Sequence, residues 1–198
     1  MNRCKIKDCN KNTKRKNLCD RHYMQIHKFG RILERTHLDP NEYVIDFNKN
    51  CYEIYLYDKK YNHIASALVD AEDIHKIIFY KWHLSCGCAI TKINNKNVLL
   101  HRLILDCPKE LDVDHINHNR LDNKRNNIRI CTTTQNSQNK KCLGISFHIR
   151  IKKWQTYIIV NGKYRHLGYF KTKQEALRVR HKAEKKYFGE FAYRRNND

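Results

Sequence analysis

The 198-residue chain lacks the features that direct a protein into or across a membrane. It has no run of about 18 apolar residues, and its first residues do not form a secretory signal pattern. We therefore expect neither membrane insertion nor secretion. Apolar residues make up only 40% of the chain and the mean hydropathy is −0.84, so one large core is not expected. The length suits one or two ordinary domains or several very small ones.

Acidic residues are scarce beside the basic ones. Twenty Asp and Glu stand against 40 Lys and Arg, which gives a formal net charge of +20. Residues 1–37 carry +8 and residues 142–198 carry +10, whereas residues 101–141 carry +3 and residues 38–100 carry −1. This excess at both ends predicts a polyanionic partner, most simply nucleic acid, because Lys and Arg that neutralise phosphates release counterions. An acidic membrane surface would also attract such charge.

The nine cysteines are odd in number and form no regular disulfide framework. We therefore expect reduced thiols in an intracellular, reducing compartment, with some of them binding metal. Four side chains near the N-terminus have spacings that allow tetrahedral Cys₃His coordination of zinc: Cys4, Cys9, Cys19 and His22.

The segment that contains these four side chains is too small to fold by burying apolar surface, so zinc would supply the missing folding free energy. We expect the basic loop between Cys9 and Cys19, including Arg15 and Lys16, to contact phosphates. This segment resembles short zinc modules at the start of phage-type nucleases. The competing interpretation is a disordered basic tail with unpaired thiols.

The strongest signal for chemistry is Asp114 followed by His115. Hydrolysis of a phosphodiester needs a base that takes a proton from water and a cation that neutralises developing charge. Neighbouring residues on a strand point to opposite faces, so Asp114 can hold the cation while His115 activates the water. Thr132 and Gln135 have the spacing of a capping box that begins a helix, and Asn136 follows as a second candidate ligand.

At these residues the chain resembles the HNH endonucleases, whose core is called ββα-metal. The resemblance implies that Asp114 and Asn136 bind one divalent cation, that His115 is the general base, and that Asn127 braces the loop orienting the His115 ring. The intervals from 114 to 127 and from 127 to 136, 13 and 9 residues, support it. Many members have a histidine where this chain has Asn136, and this departure is found in the homing-endonuclease branch. An amide oxygen favours Mg²⁺ or Mn²⁺ over zinc. The competing interpretation is a solvated Asn- and Asp-rich loop.

The region before this motif consists mainly of short alternating runs, which predict a β scaffold. In the helix predicted just before the motif, His101 is expected to pack or to contact DNA, and Arg102 to contact DNA.

From Gly144 onward, three alternating runs at 145–151, 154–160 and 164–170 precede a capping box at residues 172–175. A helix follows, which Gly189 can end. The pattern predicts a three-stranded sheet with one helix on its back. Alternation assigns one set to the helix side: Ile145, Phe147, Ile149, Trp154, Thr156, Ile158 and Val160.

The segment from Gly144 to Ala192 resembles the AP2 DNA-binding domain, in which strands can read the major groove. The base-reading positions of that family correspond here to five residues: Ser146, His148, Arg150, Tyr157 and His166. The competing interpretation is a small accessory fold or a protein-contact module.

Together these patterns predict an α+β protein of four modules: a zinc module at 1–37, a mainly β scaffold at 38–100, a nuclease core at 101–141 and an AP2-like domain at 142–198. We expect a site-directed homing endonuclease that hydrolyses double-stranded DNA with Mg²⁺ or Mn²⁺, without a small-molecule substrate or membrane partner. One core predicts a monomer that nicks one strand, and cutting both strands would require a pair of chains on the DNA. The alternatives are a non-catalytic DNA-binding regulator on the same scaffold and an RNA-binding basic protein.

Overall fold

The computed structural model describes residues 3–7, 9–32, 39–48, 50–140 and 144–193. In these ranges the chain is mixed α and β, built from small antiparallel sheets and short helices, as the sequence predicts. It divides into two compact units, residues 1–100 and 101–198. The finer boundaries at residues 37 and 141 stay predictions. None of the helices in these ranges combines the length and the apolar character needed to cross a lipid bilayer.

The first unit begins with a short looped segment and helix α1 (Asp20–Phe29). The helix starts directly after Cys19 and ends at Gly30, whose φ of 68° lies in the left-handed region that favours glycine. Its buried residues are His22 and Gln25. Helix α1 therefore presents His22 to the segment that precedes it.

Two three-stranded antiparallel sheets follow in the described part of this unit. The first contains β1 (Tyr43–Asp46), β2 (Cys51–Tyr57) and β3 (His63–Val69). A 3-10 turn at Ala71–Asp73 and helix α2 (Ile74–Ile77) follow. The second sheet contains β4 (His83–Ser85), β5 (Cys88–Ile93) and β6 (Lys96–Leu99).

Trp82 is the largest buried side chain of this unit, at 1% exposure. Its indole Nε1 donates to the Ile77 carbonyl at 3.0 Å, and its backbone N–H donates to Asn41 Oδ1 at 2.7 Å. The Asn41 amide in turn donates to the carbonyls of Trp82 and Tyr55 at 2.9 and 2.8 Å. These bonds satisfy the polar groups that burial would otherwise leave unpaired.

The second unit contains a hairpin framed by two short helices. Helix α3 (Leu100–Ile104) precedes β7 (Asp112–His115), and β8 (Ile128–Cys131) leads into α4 (Thr133–Gln138). The two strands are antiparallel, with Asp114 opposite Arg129. The capping box is confirmed, because Thr132 Oγ1 accepts from the Gln135 N–H at 3.2 Å and Gln135 Oε1 accepts from the Thr132 N–H at 2.8 Å.

The C-terminal part of this unit is a three-stranded antiparallel sheet with one long helix. Its strands are β9 (Ile145–His148), β10 (Lys153–Val160) and β11 (Lys163–Phe170), with β10 in the centre. Helix α5 (Lys173–Phe188) packs on β10, begins with a confirmed capping box at Thr172 and ends before Gly189. A 3-10 turn at Gly189–Phe191 follows.

The assignment of residues to the helix side of this sheet is only partly right. Thr156 and Ile158 are both 0% exposed, as predicted. The assignment of Ile149 is wrong, because β9 already ends at His148 and Ile149 lies in the following turn at 80% exposure. Phe147 pairs with Trp154, with ring centroids 5.3 Å apart, but remains 47% exposed on the edge strand.

Candidate functional site

The Asp114 carboxylate is buried at 5% exposure and accepts hydrogen bonds on both oxygens. Arg129, directly across the hairpin, donates from Nε at 2.9 Å and from Nη2 at 2.7 Å to Oδ2. Asn139 Nδ2 donates to Oδ1 at 2.9 Å and to Oδ2 at 3.0 Å. Charge-assisted bonds of this kind are the strong ones in proteins, so the position of Asp114 is well fixed.

The Arg129 guanidinium contacts the 3-10 turn after α5 as well as Asp114. Its Nη1 donates to the Glu190 carbonyl at 2.6 Å, and its plane lies over the Phe191 ring with 4.1 Å between Cζ and the ring centroid. A planar fork with five donors can make these contacts together, which lysine cannot. Arg129 thus links β8 to the turn after α5. No role for Arg129 is predicted from the sequence.

His115 is the buried base candidate, at 8% exposure. Its Nε2 lies 3.4 Å from Asn123 Oδ1, and its ring meets the His101 ring edge to face, with centroids 4.8 Å apart. Burial lowers the pKa of His115, and this effect outweighs the opposing hydrogen bond to Asn123 and the charge of Asp114. The ring is therefore neutral near pH 7, which is the form that accepts a proton.

His101 packs inside the unit at 7% exposure. Burial, together with the charges of His115, Arg102 and Arg120, lowers the pKa of His101 to about 3. Of the two roles expected for His101, the structure supports packing. A neutral His101 also adds no charge beside the His115 ring.

Asn127 holds the loop between β7 and β8 by three bonds. Its Nδ2 donates to the Asp122 carbonyl at 2.7 Å, its Oδ1 accepts from the Asn117 N–H at 3.0 Å, and its carbonyl accepts from the Ile116 N–H at 2.8 Å. The two side-chain bonds tie together loop positions five residues apart. The predicted role of Asn127 in orienting the His115 ring stays a prediction.

Asn136 in α4 and Asn139, which follows the last residue of that helix, contact different aspartates. Asn136 Nδ2 lies 3.5 Å from Asp112 Oδ2, whereas Asn139 contacts Asp114 and also donates to the His115 carbonyl at 3.1 Å. Asn139 is buried at 3% exposure, and its Oδ1 has no hydrogen-bond partner within the described residues. Asn139 is not among the site residues predicted from the sequence, although it stands only three residues after Asn136.

The residues around Asp114 fit a hard divalent cation. Carboxylate and amide oxygens are the ligands that Mg²⁺ and Mn²⁺ prefer, and Asp114 and Asn139 bring both kinds together. The Asn136 side chain lies against Asp112 instead. The buried Asn139 Oδ1 is an oxygen acceptor without a protein donor in the described ranges. An amide oxygen of this kind is chemically suited to a hard cation.

The N-terminal cysteines and histidine converge as their spacing predicts. The four ligand atoms of Cys4, Cys9, Cys19 and His22 all lie within 4.8 Å of one another. The Sγ atoms of Cys9 and Cys19 are 3.9 Å apart, and His22 Nδ1 lies 3.2 Å from Cys4 Sγ. A zinc–sulfur bond of about 2.3 Å in tetrahedral geometry separates two sulfurs by about 3.8 Å. The cluster can therefore hold a tetrahedral metal ion.

The surroundings of the cluster favour a thiolate at Cys4. Burial opposes ionisation, but hydrogen bonds with His22 and with the backbone of Ile6 and Cys19 outweigh it and lower the pKa of Cys4 to about 6. The thiolate is the form that binds metals. Nearby, Arg15 lies over the Tyr23 ring at 5.4 Å, and Lys16 is exposed on the same basic loop.

Four of the five predicted base-reading residues lie on one face of the C-terminal sheet. Cross-strand pairs share a face, and the pairs here are Ser146 with Gln155 and Tyr157 with His166. His148 is two residues from Ser146 on β9 and shares its face. The fifth predicted residue, Arg150, lies in the turn after β9.

The structure adds polar and aromatic groups to this face. Gln155 Nε2 donates to Ser146 Oγ at 2.9 Å, and the Tyr157 ring stacks on Tyr164 with centroids 4.9 Å apart. Tyr169 pairs with Gln155 and lies 4.6 Å from the His166 ring. The sequence analysis missed Gln155 and Tyr169, although alternation along β10 already placed Gln155 beside Tyr157 on that strand's outward side.

Arg102 makes contacts inside its own unit. Its Nη1 donates to the Leu111 carbonyl at 2.8 Å and its Nη2 to the Pro108 carbonyl at 2.6 Å. These bonds hold the loop that leads into β7. A DNA contact by Arg102 therefore stays a prediction that this geometry does not favour.

This hairpin and helix are similar to a known protein family. Residues 106–138, which contain β7, β8 and α4, match the HNH endonuclease family. Over 122 residues the chain is 30% identical to the uncharacterized HNH endonuclease L560 of Acanthamoeba polyphaga mimivirus. That similarity covers 57% of this chain and 65% of the relative, just under two thirds of its length. No solved structure matches the chain significantly.

The Asp114–Arg129 pair gives the first testable prediction. Replacing Arg129 with Met should lower the free energy of unfolding by about 3–5 kcal/mol, because it leaves a buried carboxylate without its counter-charge. The exposed Arg150 offers a matched control, and Arg150→Met should cost less than about 0.5 kcal/mol. Urea denaturation followed by circular dichroism measures both.

A double variant, Asp114→Asn with Arg129→Met, separates pairing from packing. It should recover part of the loss, because neither buried charge is then left alone. Equal stability of the Arg129→Met and Arg150→Met proteins would show that the pair does not hold the fold.

Proposed function

We propose that this chain is a metal-dependent endonuclease of the HNH type that cuts double-stranded DNA at a chosen site, in the manner of a homing endonuclease. One observation carries the proposal. Within the segment that matches the HNH family, a neutral, buried His115 stands beside Asp114 on β7, with α4 packed against that strand. Adjacent base and ligand candidates are what hydrolysis of a phosphodiester requires.

In the proposed reaction, His115 takes a proton from a water molecule whose oxygen attacks the phosphorus. The bond from phosphorus to the 3′ oxygen breaks, and that oxygen leaves with the electron pair and takes a proton from solvent. The products are a 5′ phosphate and a 3′ hydroxyl. A Mg²⁺ or Mn²⁺ ion held by Asp114 and Asn136 would neutralise charge on the phosphate and on the leaving oxygen.

A second candidate function is a non-catalytic, sequence-specific DNA-binding regulator on the same scaffold. The observation that favours it is that both Asp114 oxygens already accept hydrogen bonds from Arg129 and Asn139. A carboxylate with this set of partners can serve the fold alone. A cleavage assay separates the two functions.

The test uses supercoiled plasmid that carries the sequences flanking the gene, with Mg²⁺ or with EDTA. We expect wild type to cut only with Mg²⁺, and His115→Ala to cut about 10²- to 10⁴-fold more slowly, since that is the usual contribution of a general base. DNA affinity should stay near wild type. His83→Ala is the matched control, an exposed histidine of the other unit that should leave the rate unchanged.

The products also report the strand count. Nicked circles indicate a monomer that cuts one strand, and linear plasmid indicates chains paired on DNA. Full-rate cutting by His115→Ala would remove His115 from the mechanism. Tight DNA binding without cleavage by wild type would favour the regulator.

We propose zinc as the metal of the Cys₃His cluster, because three sulfurs and one imidazole nitrogen form a common structural zinc set. Purified protein should contain one zinc per chain by elemental analysis. Cys19→Ser should lose that zinc and the folded structure around it, since metal binding there supplies folding free energy.

The exposed Cys86 provides the control for this experiment. Cys86→Ser should keep the zinc content and the circular dichroism of wild type. A Cys19→Ser protein with undiminished zinc would refute the assignment.

We propose that the outward face of the C-terminal sheet binds the DNA major groove, with Arg15 and Lys16 on phosphates. Its support is the set of hydroxyl, amide, imidazole and phenol groups gathered on β9, β10 and β11. Gln155→Ala should weaken specific binding by 1–3 kcal/mol, or about 5- to 150-fold, because amide side chains make paired bonds with base edges. Binding to nonspecific DNA should change little, because phosphate contacts dominate it.

Gln174 is a matched control on the exposed side of α5. Gln174→Ala should bind specific and nonspecific DNA as wild type does. Salt-titrated binding assays measure both variants, and equal affinities for Gln155→Ala and Gln174→Ala would exclude Gln155 from base reading.

A further inference from the structure

Asn123 is the one side chain that makes a hydrogen bond to the His115 ring within the described residues. It lies in the loop between β7 and β8 and is 0% exposed. Its Oδ1 is 3.4 Å from His115 Nε2, and its Nδ2 donates to the Leu121 carbonyl at 3.0 Å. Because a carbonyl can only accept, the bond to Leu121 fixes the amide nitrogen on that side and turns the amide oxygen toward the ring.

This orientation decides where the single proton of a neutral imidazole sits. An oxygen that only accepts requires the facing ring nitrogen to donate, so Nε2 carries the proton. Nδ1 is then left with a free lone pair. The tautomer of a histidine follows from the bond that its other nitrogen makes, and here that bond is to Asn123.

We propose that Asn123 is the positioning residue of the site, which holds His115 as the Nε2–H tautomer and so assigns Nδ1 as the atom that takes the proton from water. The role of Nδ1 rests on the proposed nuclease function. The tautomer itself does not, because it follows from two hydrogen bonds inside the fold.

The neighbours of Asn123 explain why it stays in place. Asn127 holds the Asp122 carbonyl at 2.7 Å, one residue before Asn123 in the chain. The His115 ring also meets the His101 ring edge to face, with centroids 4.8 Å apart. Asn127 thus acts on the loop, and Asn123 acts on the ring.

The first measurement needs no variant. Long-range ¹H–¹⁵N spectra of the whole chain with ¹⁵N-labelled histidine, recorded where the rings are neutral, distinguish a protonated Nε2 from a protonated Nδ1. We expect His115, assigned by comparison with His115→Ala, to carry its proton on Nε2. A proton on Nδ1 overturns the proposal.

Two variants then test Asn123. Asn123→Ala removes the acceptor and should give a mixture of tautomers, whereas Asn123→Asp keeps an acceptor oxygen and should keep the Nε2–H form. Cleavage by Asn123→Ala should fall about 10- to 100-fold in kcat with KM for target DNA unchanged, as for other residues that orient a working side chain. Asn126→Ala, an exposed asparagine of the same loop, should match wild type in both assays.

The histidine spectrum and the cleavage assay distinguish a failure of the nuclease proposal from a failure of the role proposed for Asn123. A wild-type protein that shows the expected tautomer but cuts no DNA would refute the nuclease proposal and leave the role of Asn123 in fixing the ring. Folded Asn123→Ala with an unchanged tautomer and full cleavage would overturn the inference. If Asn123→Ala does not fold, the wild-type spectrum and Asn123→Asp still decide it.

Discussion

A carboxylate taken out of water loses several kcal/mol of hydration, and a close counter-charge together with hydrogen-bond donors is needed to offset that loss. Asp114 is buried at 5% exposure, and Arg129 and Asn139 donate hydrogen bonds to its carboxylate. Each partner comes from a different element, one from β8 and one from the end of α4. The hairpin and the helix are therefore held around a charge, where a larger protein would use a larger apolar core.

Other parts of the chain are also held by polar or metal-ligand groups, with little buried apolar surface. Residues around Cys4 and Cys19 bury few side chains, and sulfur and imidazole ligands stand close enough to share one ion. In the loop between β7 and β8, asparagine amides satisfy backbone groups that a short loop cannot pair by itself. Polar networks of this kind fix one conformation because every member depends on the others. That rigidity suits a site whose geometry must be held closely.

Sequence reasoning succeeded where the cause is local. Capping boxes at Thr132 and Thr172 need only residues three apart, and the convergence of Cys4 with His22 follows from ligand spacing. It failed where the cause is the pairing of distant segments. Arg129 faces Asp114 only because the hairpin register puts them opposite, and Asn123 reaches His115 only through the path of the loop. Ile149 was misplaced because alternation cannot tell where an edge strand ends.

The contact of Arg129 with Glu190 and Phe191 limits the exchange of the C-terminal module between related proteins during evolution. Small modules are readily exchanged when few interactions cross their boundary. A C-terminal module from another protein would have to place a carbonyl and an aromatic ring against the Arg129 guanidinium. Without them, Arg129 would be held less firmly against the Asp114 carboxylate. We therefore expect the hairpin with α4 and the C-terminal sheet with α5 to be inherited together.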